Sequence, residues 1–97
     1  MDEAKTYLIA YDIPDDRRRS RIADILLSYG RRVQESVFIV EARGAKYLRM
    51  RDAVLTILDK RRDSFIICDL GQSKSAKHRI TKYGIGSDLG EEKLLVF

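Results

Sequence analysis

The sequence predicts an α+β fold, with two helices laid on one face of a small sheet. Three observations predict it. Short β-branched and aromatic runs at residues 6–12, 32–42 and 64–70 read as strands. Two stretches between them, near residues 17–29 and 46–60, carry apolar residues at helical spacing. The chain has 97 residues, enough for one modest core and little else.

The first run, Thr6 to Asp12, is apolar on both faces and is stopped by Pro14, as a central strand would be. Asp15 or Asp16 can cap the helix that follows by accepting a free backbone N–H. That helix should run from about Arg17 to Tyr29, with Ile22, Ile25, Leu26 and Tyr29 as its core stripe and Gly30 as its stop. Residues 32–42 alternate along their length. They form either one long strand or two short ones meeting near Glu35-Ser36. A second helix is expected over about Lys46–Lys60, with Leu48, Arg51, Leu55 and Leu58 inward and Val54 flanking them. Ser64–Leu70 is a nearly all-apolar strand that would place Cys68 in the core. Gly71–Lys77 reads as a polar loop, His78–Gly84 as a further strand, and the glycines at 84, 86 and 90 as a flexible link. Four apolar residues close the chain, Leu94-Leu95-Val96-Phe97, and suit a strand that pairs with something, such as another copy.

This order is a β-α-β-β-α-β ferredoxin-like sandwich with an extra C-terminal strand. Residues 1–84 would be the domain and 85–97 a tail pairing with a partner protomer. The sheet face away from the helices would lack cover, and a sheet-to-sheet homodimer is the simple remedy.

Composition narrows the functional classes. Hydrophobic residues are 44% of the chain, too many for disorder, and no apolar run approaches the roughly 18 residues that span a bilayer. Residues 1–5 lack a signal-peptide core, so the expected compartment is the cytoplasm and no membrane partner is expected. Cys68 is the only cysteine, so an internal disulfide and a multi-cysteine metal site are excluded. The net charge is +4, and 12 of the 19 basic residues are arginine. Arg17, Arg18, Arg19, Arg21, Arg31 and Arg32 lie within residues 17–32 with only Asp24 among them. Arginine offers planar paired donors that suit phosphate. The cluster is either a nucleic-acid surface or a solvated helix face.

Asp12 falls where the first strand ends, beside Tyr11 and just before the arginine-rich helix. It is a candidate Mg²⁺ ligand or a simple turn residue. One carboxylate makes a poor metal site, but two copies of Asp12 across a two-fold axis could share one ion. Arg18 and Arg19 should project beside the strand end, where cations in a helix first turn are disfavoured unless aspartates or a phosphate offset them. His78 is the lone histidine and reads as a surface residue. No Ser-His-Asp or Cys-His set supports acyl chemistry. Gly84-Ile85-Gly86 opens no helix and is no dinucleotide fingerprint. Tyr47 and Tyr83 are available for base stacking but say little alone.

Three strings carry a resemblance: Tyr11-Asp12-Ile13-Pro14-Asp15-Asp16 followed by Arg19 and Arg21, then Tyr29-Gly30-Arg31-Arg32-Val33-Gln34, then Ser36-Val37-Phe38. In this order and spacing they closely resemble the CRISPR-associated protein two family, over residues 6 to about 70. The resemblance implies the ferredoxin-like fold and the sheet-to-sheet homodimer. It implies that the C-terminal strand, Leu94 to Phe97, adds to the partner's sheet. It makes Asp12 the metal-binding and catalytic residue at the dimer axis, with Mg²⁺ or Mn²⁺ shared by two protomers. Residues tied to activity in the family match Tyr11, Arg19, Arg21, Arg32 and Phe38 here. The arginines would hold phosphate, and Phe38 would shape the site or the interface. The run Ile39-Val40-Glu41-Ala42 departs from the family, which often has an acidic or glycine-containing segment there.

Two roles follow as expectations. One is a metal-dependent endonuclease acting on single-stranded RNA or double-stranded DNA. The other is a non-catalytic adaptor that binds new spacer DNA and bridges the CRISPR integrase during spacer acquisition. A toxin-like messenger-RNA interferase and a small-ligand sensor are more distant readings on the same fold.

Overall fold

A computed structural model of the chain describes residues 3–85. The elements are β1 (Lys5–Asp12), α1 (Asp16–Leu27), β2 (Gly30–Gln34), β3 (Val37–Ala42), α2 (Gly44–Ile57), β4 (Ser64–Gln72) and a short α3 (Ser73–Ala76). The strands form one antiparallel sheet in the order β2-β3-β1-β4, the arrangement of a ferredoxin-like sandwich. The expected terminal strand, Leu94–Phe97, lies outside the described residues.

Strand alternation divides β1 between two surfaces. Tyr7, Ile9 and Tyr11 face the helices and are buried with Phe38 and Val40 of β3, Ile22 and Leu26 of α1, and Met50 and Val54 of α2. Leu8, Ala10 and Asp12 face the other way. There they pair with Ile39 and Val37 of β3 and with Cys68, Ile66 and Ser64 of β4. Residues 32–42 resolve into two strands that turn at Glu35-Ser36, and the Tyr11 N–H donates to the Ser36 carbonyl at 3.1 Å. Asp15 caps α1 as expected, accepting from the Arg18 N–H at 2.9 Å.

Several expectations are corrected. Helix α1 ends at Leu27, where Ser28 caps it, so Gly30 is not the stop. Gly30 opens β2 opposite Val40, and a Cβ there would lie 2.2 Å from the Ile39 carbonyl oxygen and 2.9 Å from Val40 Cα. Glycine is required for close backbone approach, not for a left-handed turn. The inward stripe of α2 is Tyr47, Met50, Val54 and Ile57, whereas Leu48 and Leu55 are 44% and 39% exposed; Leu58, just past the helix, packs against the core as expected. Apolar residues occupy all four positions of the observed set and three of the four expected ones, with Arg51 the exception, and the two sets lie one residue or about 100° apart on the helix. Stacking of Tyr47 on Tyr7, with centroids 4.4 Å apart, accompanies the observed choice. It also takes Tyr47 out of consideration as a base-stacking platform.

β4 is an edge strand with Phe65 and Ile67 inward, and Cys68 is exposed on the opposite face rather than in the core. The expected loop over residues 71–77 is instead the end of β4 followed by α3. The hydroxyls of Thr6 and Ser73 are hydrogen-bonded at 2.8 Å, so α3 covers the Thr6 end of the second sheet face. Residues 78–84 form no strand.

One ion pair locks the helix layer to the sheet. Arg18 in the first turn of α1 donates from Nε and Nη2 to the two oxygens of Asp63, at 2.8 and 2.9 Å. The Asp63 side chain is wholly enclosed and also accepts from the Asp59 N–H at 2.9 Å. These bonds, the guanidinium first, hold the Asp63 carboxyl below its ordinary pKa. A lowered pKa means stability that is present above the unfolded value and lost as pH falls through the folded one. Asp63→Asn should therefore be less stable than wild type at pH 7. The gap in denaturant midpoint should narrow below about pH 4. Gly30→Ala should cost about 1–3 kcal/mol in the same titrations, because the β2–β3 backbones must separate.

Candidate nucleic-acid interface

The site forms at one end of the sheet, where β1 finishes, the β2–β3 hairpin turns, β4 begins and α1 starts. Asp12 is the last residue of β1, exposed, and pairs across the strand with Ser64. Among the described residues, no hydrogen bond or ion pair engages its carboxylate. It is available to an external ligand.

Tyr11 points the opposite way. Its ring lies beside Phe38 at 6.0 Å and Phe65 at 6.5 Å, buried beneath α1. The two residues expected to act together are therefore on opposite faces of one strand. Tyr11 instead shares a shallow cleft of about 340 Å³ with Arg19, Ser20, Asp24, Arg32 and Glu35. Phe38 is fully buried in the chain's own core on the helix side, and is not on the open face. The Arg32 guanidinium rests 5.1 Å from the Phe38 ring centroid, a cation–π contact that leaves its donors facing solvent.

The arginines separate by role. Arg18, expected to bind nucleic acid, is committed to Asp63 and works as a structural tie. Arg19 pairs with Asp16 and donates Nη1 to the Ile13 carbonyl at 2.8 Å, bracing the loop between β1 and α1. Its side chain still borders the cleft. Arg17 and Arg21 are exposed on α1 and have no ion-pair partner among the described residues. Sequence reasoning passed over Lys60, Arg61 and Arg62. Lys60 ends the expected second helix and Arg61 and Arg62 follow it, yet all three stand exposed in the turn before β4 at this same end. Three consecutive cations next to a carboxylate-tied turn were the visible signal.

The carboxylate suits a hard divalent ion in kind. Mg²⁺ commonly takes one or two carboxylates and keeps several waters. Among the described residues no group of three His, Cys, Asp or Glu could hold an ion, so Asp12 enters as a single candidate donor. A second copy would double that donor set from the same position. Among the described residues, no helix is long and apolar enough to cross a membrane.

With this geometry in place, comparison with known proteins is decisive for the family. The family profile described as CRISPR associated protein Cas2 matches residues 5–78, three-quarters of the chain. The chain belongs to the Cas2 family. A Synechocystis relative named CRISPR-associated endoribonuclease Cas2 3 is 47% identical over 58 residues, 60% of this chain and 63% of the relative. A Thermus thermophilus relative, CRISPR-associated endonuclease Cas2 2, is 46% identical over 68 residues, 70% of this chain and 64% of its own. The match thus spans just under two-thirds of the length of these two Cas2 proteins. Among solved structures, Streptococcus pyogenes Cas2 superposes with a TM-score of 0.72 at 27% identity, covering 81% of this chain and 99% of that one. A chain of a partial Cas6-RT-Cas1–Cas2 complex does so with a TM-score of 0.61 at 25% identity, covering 86% and 92%.

The exposure and lack of partners at Asp12 give a direct expectation. Asp12→Ala should leave unfolding stability within about 0.5 kcal/mol of wild type. Arg18→Ala should clearly lower the melting temperature, because it strands a buried carboxylate. Thermal denaturation of the two variants side by side makes the comparison.

Proposed function

We propose that this protein acts in CRISPR adaptation, in the cytoplasm, as a two-fold dimer that binds nucleic acid for the CRISPR integrase and hydrolyses phosphodiester bonds. The observation that carries the reading is Asp12, an exposed and unengaged carboxylate at the end of β1, at the same end of the sheet as the start of α1 with its unpaired Arg17 and Arg21. The names of its relatives, endoribonuclease and endonuclease, support the hydrolytic half. The solved complex that contains Cas1 and Cas2 supports the integrase as partner.

The dimer would form through the open sheet face, where Ile66 is 53% exposed beside Leu8, Val37 and Cys68. Two Asp12 carboxylates would then approach one axis, with Leu94–Phe97 of each tail adding to the other's sheet. The pair would hold Mg²⁺ or Mn²⁺, and a bound ion of this kind supplies a water of lowered pKa for attack on phosphorus. Arg19, Arg21 and Arg32 would orient the substrate phosphates. Tyr11 would shape the cleft wall behind them. The substrate is single-stranded RNA or double-stranded DNA.

A second reading, an adaptor without hydrolysis, is favoured by the lack of a group of three metal-ligand side chains among the described residues. In that case Asp12 would be an ordinary strand-end residue.

Cleavage assays separate the two. Purified wild type should cut one of the two substrates with Mg²⁺ or Mn²⁺. Activity should fall to background with chelator and in Asp12→Ala, while nucleic-acid binding is retained. Equal cleavage by wild type and Asp12→Ala would overturn the hydrolytic assignment. Ile66→Lys should convert the dimer to monomer in sedimentation and remove cleavage with Asp12 intact.

A further inference from the structure

We infer that Lys60-Arg61-Arg62, in the turn between α2 and β4, is a second phosphate-backbone contact that extends the nucleic-acid surface beyond α1. The inference rests on the nucleic-acid reading above and adds a position that neither the motif resemblance nor the α1 arginines assign.

The turn is built to present these cations. The Asp59 carbonyl accepts from the Arg62 N–H at 3.0 Å and from the Asp63 N–H at 2.8 Å. The Asp59 side chain accepts from the Arg61 N–H at 3.0 Å. Asp63 returns a bond to the Asp59 N–H and receives the Arg18 fork. The two aspartates are thus largely occupied by backbone donors and by Arg18. The neighbouring cations are left with little neutralisation. Arg62 reaches Asp59 only at 3.9 Å, and its side chain is 74% exposed. No side-chain partner engages Lys60 or Arg61 among the described residues.

Position supports the same conclusion. Ser64, the first residue of β4, pairs with Asp12, so the turn adjoins the carboxylate end of the sheet. The Arg18–Asp63 tie joins this turn to the first turn of α1, which carries Arg17 and leads to Arg21. A rigid, hydrogen-bonded turn loses little conformational freedom when it meets a ligand, and that favours affinity. Repeated negative charge along a nucleic-acid backbone is the chemistry that two neighbouring cationic segments recognise.

The test compares two variants of equal charge. Arg61→Gln with Arg62→Gln removes two charges at the proposed contact. Lys74→Gln with Lys77→Gln removes two from α3 and the residue after it, at the opposite end of β4. Binding of a duplex DNA and of a single-stranded RNA oligonucleotide is measured across salt concentration. Each lost contact should lower the slope of log affinity against log salt by about 0.9 for duplex or about 0.7 for single strand. The first variant should lose about 1.4–1.8 of slope on the preferred probe. The second should keep the wild-type slope, and both should keep the wild-type melting temperature. Equal losses in the two variants, or no loss in the first, would overturn the inference while leaving the nucleic-acid reading intact. Failure of wild type to bind either probe would overturn both.

Discussion

β1 is hydrogen-bonded on both sides, and its period of two governs everything built around it. Tyr7, Ile9 and Tyr11 are committed to the helix side because Ile9 and Phe38, directly opposite each other, are both fully buried. Burial of such a side chain is worth roughly 1.5–3 kcal/mol, so the register is firmly set. A slip of one residue would turn the apolar set outward and drive Asp12 into the core. The exposed carboxylate at the strand end is thus a consequence of core packing one residue earlier. The same alternation separates a cleft lined by Tyr11, Arg19 and Arg32 from a carboxylate on the opposite face.

Three consecutive arginines at a helix start oppose the helix dipole and repel one another. The fold resolves this by giving them different partners. Arg18 turns inward to a buried carboxylate from a distant loop, and Arg19 turns back onto Asp16 and the carbonyls of Ile13 and Pro14. Arg17 remains on the surface. Removing Arg18 would leave the Asp63 carboxylate without its paired charge, and breaking such a pair costs more than forming it gains. Within one turn of helix the fold therefore engages two arginines in its own structure and leaves a third exposed.

The two faces of the sheet are unequally finished. Helices α1 and α2 close one face, whereas α3 covers only the Thr6 end of the other. What remains near Leu8 of β1 and Ile66 and Cys68 of the edge strand β4 is apolar, with Ile66 and Cys68 exposed. An accessible apolar sheet face is costly in water, and a second copy is the cover that symmetry supplies most simply.

The local pattern alone determined the layout. Pro14 and Asp15 mark where β1 ends and α1 begins, because a missing N–H and a side-chain acceptor act over a few residues. Apolar spacing placed the strands and the first helix, and covalent order puts the candidate residues Tyr11 and Asp12 at the end of β1 in any register. Only the tertiary structure decided which of two apolar stripes on α2 faces inward, because both satisfy a period of 3.6 and Tyr7 lies 40 residues away in the chain. It alone moved Cys68 to the surface, as an edge strand with one covered face cannot be told from a central one by composition. It alone took Arg18 from the phosphate-binding set, because its partner Asp63 is 45 residues distant. The sequence states which groups are available; long-range packing decides which of them the fold consumes and which it leaves for a ligand.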